Sequence, residues 1–283
     1  MADTRKSVLI TGCSSGIGHS LAKEFHSKGL RVFASARRAE SLADLAAIGI
    51  DTVSLEVDKL DSIRSVKREI EELTGGKLDY LVNNAGCNYT VPALDIELEE
   101  VQKIFEVNVY AVMRMCQEFA PLIIEAKGTI VQIGSLAGIM PYVFGSVYNA
   151  TKAALHAYSN TLRVELAPFG VKVVTIITGG VQSNIARNER QLPEDSYYIP
   201  VSQEYQRRLK HSQEGAMPNE AYAKSVVSKV LKSSPPKWVW EGKLSWVVWF
   251  ATSYLPASVM DSVFWRMFNL WKLVGTTDSK KTL

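Results

Sequence analysis

Short apolar runs alternate along the chain with stretches whose apolar residues recur at helical spacing. Val8–Ile10 reads as a buried strand that runs into a glycine-rich turn. Ile17, Leu21, Ala22 and Phe25 then space a helix over 17–28, closed near Gly29. The same pattern predicts strands at 31–35, 52–57, 78–82, 129–133 and 171–177. It predicts helices at 39–47, about 61–73, 99–124, 147–167 and near 218–232. Strands alternating with helices in this way indicate βαβ units and a parallel sheet, so the expected class is α/β, doubly wound, with helices on both faces. The near-continuous apolar strands suit a sheet covered on both sides.

Two stretches break the rhythm. Residues 179–216 are polar and irregular, with Pro193 and Pro200, and 184–216 reads as a substrate lid, since a connector of that length is uncommon. Ser233-Ser234-Pro235-Pro236 is a breaker. It divides an expected main domain, 1–236, from an expected tail, 237–283.

Composition sharpens that division. Of the 283 residues 47% are hydrophobic and 22% charged, which excludes a disordered or collagen-like chain. All six tryptophans fall between Trp238 and Trp271. Leu244 to Met260 runs 17 residues without a charge, slightly short of the ~20 of a membrane span, and Pro256 interrupts it. After it Met260, Phe264, Met267, Phe268 and Trp271 repeat at helical spacing. The tail therefore reads as a helical aromatic segment that associates with a membrane surface or covers the cleft. A net charge of +3 gives no basic face for nucleic acid. Three separated cysteines and four scattered histidines point to no disulfide framework and no metal site. No apolar stretch precedes the first strand, so a secretory signal is not expected and an intracellular protein is.

The turn after the first strand reads Thr11-Gly12-Cys13-Ser14-Ser15-Gly16-Ile17-Gly18. Glycines let backbone approach a pyrophosphate, and a helix N-terminus offers N–H donors and positive dipole. By itself the run is also compatible with an ordinary tight turn. Further landmarks follow in order: Asn83-Asn84-Ala85-Gly86 after the fourth strand, Asn108 in the next helix and Ser135 after the fifth strand. Tyr148-Asn149-Ala150-Thr151-Lys152 opens a helix, and Thr178-Gly179-Gly180-Val181-Gln182-Ser183 follows the sixth strand. This ordered set, over about residues 7–185, resembles the short-chain dehydrogenases/reductases.

The resemblance implies a Rossmann-type sheet, a nicotinamide cofactor, and Ser135, Tyr148, Lys152 and Asn108 as catalytic residues. Tyr148 and Lys152 share a helix face, and an adjacent cation is expected to lower the phenol's pKa from ~10. Tyr148 would then act as acid in carbonyl reduction, or base in reverse. Ser135 would polarise the carbonyl, Lys152 would hold the nicotinamide ribose, and Asn108 would support a water linking the lysine to a proton relay. Gly12, Ser14, Gly16, Ile17 and Gly18 would cradle the phosphates. Asn84 and either Glu56 or Asp58, expected at the end of the third strand, would line the adenosine. Val181 and Ser183 would contact the carboxamide and phosphates. Ala36 stands where an acid would hold the ribose of NAD, and Arg37 follows it. A guanidinium suits a 2′-phosphate, so NADPH/NADP+ is expected.

Several stretches, among them 134–138, 144–148, 177–181 and 217–224, resemble one branch, the fungal acyl-dihydroxyacetone-phosphate reductases. That implies a small lipophilic ketone substrate and a peripheral location on the endoplasmic reticulum membrane or lipid droplet surface, with the cytoplasm as the alternative. The family also implies a homo-oligomer. Fungal tailoring reductases of polyketides and terpenoids are similar and keep a second substrate class open. Arg187, Arg190, Arg207, Arg208 and Lys210 of the lid would meet a phosphate or form a solvated surface. A third class is raised by Gly12-Cys13-Ser14-Ser15-Gly16, the G-x-S-x-G of lipases, although it lies inside the expected phosphate cradle.

Overall fold

A computed structural model describes residues 4–185 and 190–275. Arg187 lies outside them. Seven parallel strands form one sheet in the order β3-β2-β1-β4-β5-β6-β7. They are β1 (Ser7–Ile10), β2 (Arg31–Ala36), β3 (Asp51–Ser54), β4 (Tyr80–Asn83), β5 (Thr129–Ile133), β6 (Lys172–Thr178) and β7 (Trp238–Glu241). The order reverses between β1 and β4, the point where open α/β sheets bind ligands at the carboxyl ends of their strands.

Helices cover both faces. On one, α1 (Gly16–Ser27) packs against α8 (Asn219–Val230) over Val8, Ile10, Val82 and Ile176. On the other, α3 (Leu60–Thr74), α5 (Ala111–Glu125) and α6 (Ser146–Leu166) cover Leu9, Phe33, Leu81 and Ile130. Successive residues of β1 thus enter opposite cores, which is why the strand is apolar throughout.

Most predicted elements are present, with informative differences. Strand β3 stops at Ser54, so Glu56 and Asp58 lie in the loop that follows it rather than at a strand end. The helix expected over 39–47 is a 3-10 turn, Ala39–Leu42, followed by the short α2, Ala43–Ala46. The long helix around 99–124 is α4 (Leu98–Phe105), a π turn at Glu106–Tyr110, then α5. Asn108 therefore sits in a widened turn, a distortion frequent at functional sites.

The sheet also crosses the expected 236/237 boundary. Trp238–Glu241 pairs with β6 from Thr175↔Trp238 to Thr178↔Glu241. Pro235-Pro236 ends the turn between a helix and an edge strand rather than separating the sheet from an appendage. Leu244–Met260 is likewise two helices, α9 (Ser245–Tyr254) and α10 (Ala257–Met267), broken at Leu255-Pro256. Proline lacks the N–H that would continue α9 and suits the start of α10. No helix among the described residues is long and apolar enough to cross a membrane.

The tail's second helix is anchored. Phe264 and Phe268 are buried beside Phe144 and beside Tyr205 and Leu209 of α7 (Ser202–His211). Glu204 of α7 accepts from Asn269 Nδ2 at 2.6 Å and Lys272 Nζ at 2.8 Å. Lys272, then Asn269, hold the Glu204 carboxyl down to about 2. The tail thus braces the segment read as a lid. By contrast α9 turns Trp246, Val247, Phe250 and Tyr254 outward, with Trp246 68% exposed.

Candidate active site

The glycine turn is built as a cradle. Gly12 and Gly16 have φ of 73° and 60°, in the left-handed region that favours glycine. A Cβ on Gly12 would lie 2.9 Å from Ala85 Cα, and one on Gly18 would lie 2.3 Å from the Gly12 carbonyl oxygen. Ser15 precedes α1 without a side-chain cap, so the first helical N–H groups have no side-chain acceptor there. Ser14 and Ser15 are exposed, and Gly16 and Ile17 half-buried. This is a ready site for an anionic pyrophosphate. Ser183 closes on the turn, with its Cβ 3.3 Å from where a Gly16 Cβ would stand. Val181 is buried and bridges to Met217.

Asn84 differs from its expected place. Its Nδ2 donates to the carbonyls of Thr11 at 2.8 Å and Gly12 at 3.1 Å, so its amide nitrogen holds the turn itself. Thr11 Oγ1 completes the brace by accepting from the amides of Asn84 and Ala85. Arg37 is exposed beyond the buried end of β2, after Ala36. Ala36 and Arg37 themselves put no carboxylate at the end of β2. The cradle, the uncapped helix and Arg37 together fit a phosphorylated dinucleotide.

The lipase alternative gains no support from the surroundings of Ser14. No hydrogen bond joins Ser14 to a histidine among the described residues, and His19 is paired with Asp44 at 2.6 Å.

The fifth strand delivers Ser135 beside the first turns of α6. The Ser135 hydroxyl accepts from Ala137 N at 3.1 Å, and it pulls the Tyr148 phenol's pKa down. Lys152 is buried, donates to the Ile133 carbonyl at 2.9 Å, and sits 5.8 Å from the Tyr148 ring centre. The structure therefore brings Ser135, Tyr148 and Lys152 together.

The expected electrostatics is corrected. Burial dominates at Tyr148 and pushes its phenol up to about 12, against a smaller downward pull from Ser135. Burial also lowers Lys152 to about 8. The phenol is thus held protonated at neutral pH, the state an acid needs.

Asn108 is fully engaged. Its Oδ1 accepts from Cys87 N at 2.9 Å, and its Nδ2 donates to Cys87 O at 2.9 Å and Thr151 Oγ1 at 3.1 Å. Its side chain ties the loop after β4, at Cys87, to α6 at Thr151, one residue from Lys152. The π turn is what aims it there.

Further residues, to which the sequence assigned no role at this site, support it. His156 Nε2 accepts from Ser135 N at 3.2 Å, and burial lowers the imidazole to about 4, so it stays neutral. Gly134 and Gly138 leave room for that ring: a Cβ would come within 2.4 Å and 2.7 Å of it. Trp238 packs on His156 at 5.6 Å and donates from Nε1 to Asn160 Oδ1 at 2.9 Å. One of the six tryptophans thus supports the loop that carries Ser135. Finally Thr178 shares a 2.7 Å hydrogen bond with the hydroxyl of Tyr222.

A cavity of about 940 Å³ lies nearby but is not this cleft. Its walls include Ser146, Asn149, Ala150 and Ala153, a face about 130° round α6 from Tyr148 and Lys152. Loop 137–144 and the tail residues Trp265, Leu270 and Leu273 complete it.

With this geometry the sequence comparisons agree. Residues 6–194 match the family model for short chain dehydrogenase, and the chain belongs to that family. Among its relatives is the short-chain dehydrogenase fogD of Aspergillus ruber, 44% identical over 97% of both chains. Another is the NADPH-dependent 1-acyldihydroxyacetone phosphate reductase of Schizosaccharomyces pombe, 48% identical over 70% of this chain and 69% of that one. A solved short-chain dehydrogenase from Streptomyces avermitilis superposes with a TM-score of 0.78 at 27% identity, over 93% of this chain and 97% of that one.

Proposed function

We propose that the protein is an NADPH-dependent reductase of a ketone on a lipophilic substrate, with 1-acyldihydroxyacetone phosphate, reduced to lysophosphatidic acid, as its foremost candidate. The observation that carries the reading is the grouping of Ser135, Tyr148 and Lys152 beside the glycine cradle. Bound nicotinamide would supply the hydride. Tyr148 holds a proton for the nascent alkoxide, and Ser135 orients and polarises the carbonyl oxygen. Lys152 places a positive charge under the phenol, and Asn108 positions the α6 turn between them. Gly12, Ser14, Gly16, Ile17, Gly18 and Ser183 hold the phosphates, Val181 packs at the carboxamide, and Glu56 or Asp58 reaches the adenine side. Arg37 prefers the 2′-phosphate.

The exposed aromatic side of α9 supports a peripheral seat on a membrane or lipid droplet surface. Its rings form a connected group, Trp246 to Trp249 at 4.9 Å and Phe250 to Tyr254 at 5.2 Å, suited to a headgroup boundary.

A second reading is a tailoring ketoreductase of a polyketide or terpenoid. Coverage does not separate the two: fogD, named only as a short-chain dehydrogenase, matches 97% of this chain at 44% identity, and the 1-acyldihydroxyacetone phosphate reductase of Saccharomyces cerevisiae matches 98% of it at 39%. NADPH oxidation with 1-acyldihydroxyacetone phosphate, beside a panel of neutral lipophilic and polyketide ketones, separates the two. Turnover of the panel alone selects the second reading, and turnover of no ketone removes both.

A further inference from the structure

One strong charge near the start of α6 has no carboxylate partner among the described residues. Arg208, on α7, is 3% exposed. Its Nε donates to the Val143 carbonyl at 3.0 Å, and its guanidinium carbon stands 3.4 Å from the centre of the Tyr142 ring. A guanidinium carries five N–H donors, and among the described residues one hydrogen-bond acceptor meets them. No carboxylate pairs with it among the described residues. The groups acting on its charge, besides burial, are the phenols of Tyr142, Tyr148 and Tyr205. Arg190, on the same side, is different: it meets Glu100 at 2.7 Å and stacks on Tyr89.

Burying an unpaired cation is costly unless something answers it. The surroundings nevertheless hold this one in place. His211 Nδ1 fixes the Tyr142 hydroxyl at 2.6 Å, and Gly145 makes room, since a Cβ there would lie 3.1 Å from Nη2. Val143 and Gly145 lead directly into α6, which opens at Ser146 and carries Tyr148 in its first turn, so the charge stands at the entry to that helix.

We propose that Arg208 is the anion-recognising residue of the substrate site. Its Nη1 and Nη2 donate to a phosphate or carboxylate carried by the ketone, and so select anionic ketones over neutral ones. This rests on the proposed ketone reduction at Tyr148.

The test compares 1-acyldihydroxyacetone phosphate with its dephosphorylated ketone, at saturating NADPH, in wild type, R208K and R208Q. R208Q is expected to lower kcat/KM for the phosphate by about tenfold to a hundredfold, mainly through KM. The neutral ketone should change less than about threefold, and R208K should recover part of the loss. Equal losses on both ketones, or none, would overturn the assignment.

Calorimetry of octyl phosphate, octanoate and octanol with the NADP+-bound protein gives an answer that does not need turnover. The two anions, or one of them, should bind wild type at least about tenfold more tightly than octanol, and R208Q should lose that preference. Equal binding of all three to wild type would overturn the proposal even if R208Q does not fold. Anion binding without turnover of any ketone would leave Arg208 assigned and remove the reductase reading instead.

Discussion

The two sides of the cleft are built differently. The cofactor side, at the ends of β1, β4 and β6, is held by backbone: glycines at positive φ, an uncapped helix and amides braced by Thr11 and Asn84. The substrate side, from the lid through α10, is held by side chains: Phe144, Tyr205 and Phe268 in edge contact, Glu204 clamped to the tail, and a buried guanidinium with one acceptor. Backbone geometry suits a ligand whose shape does not vary. Aromatic packing can be altered residue by residue without disturbing the sheet, which suits a ligand that does.

Tyr148→Phe should break the comparison hardest, because both sides meet at that phenol. Turnover is expected to fall about 10²–10⁴-fold while NADPH still quenches protein fluorescence with unchanged affinity. Retained turnover would remove Tyr148 as the acid.

Arg37→Ala acts on the cofactor side alone. It should weaken NADPH by about tenfold to a hundredfold and leave NADH affinity within about twofold, as measured by titration. Equal weakening of both would place Arg37 away from the phosphate.

On the other side, replacing Trp246, Phe250 and Tyr254 together with serine should release the protein from sedimenting lipid vesicles. Turnover of a water-soluble ketone should stay within about twofold, since none of the three lines the cleft. Persistent sedimentation would count against α9 as the contact.

The smallest effects concern pH. Native His156 stays neutral down to about 4, whereas an ordinary histidine protonates near 6.5. Between these values the unfolded chain binds the extra proton, so stability should fall as pH drops through the window, by up to about 3 kcal/mol. His156→Phe should flatten that slope in urea titrations, at a cost of about 1–3 kcal/mol from the lost Ser135 contact. Lys152 is lowered from 10.5 to about 8, so the same argument gives stability rising with pH across that interval. It also places a decline in reductive kcat/KM above about pH 8, as the cation beneath Tyr148 is lost.

Much of the cofactor side was legible because its signals are local. A glycine needed for positive φ, or a Tyr-x-x-x-Lys pair sharing a helix face, carries its geometry in a few residues. Six of the seven strands showed as apolar runs for the same reason. The seventh did not: Trp238–Glu241 has the look of an aromatic tail, and only its pairing with β6 makes it a strand. The Tyr148 pKa is raised rather than depressed: spacing reports a shared helix face but not the burial that outweighs the lowering pulls of Ser135 and Arg208.

What the chain by itself determined, then, is the βαβ order and the phosphate turn, read from period and spacing, with the Ser-Tyr-Lys group implied by the resemblance that its ordered landmarks carry. Only the tertiary structure decided that His156 and Trp238 support Ser135, that Asn84 ties the glycine turn and Asn108 ties Cys87 to Thr151, and that the tail braces α7. Each of these depends on residues far apart in the chain meeting in space. The same is true of Arg208. In the sequence it is one of several basic residues in a polar loop, and it becomes distinctive only when folding buries it among phenols without a carboxylate.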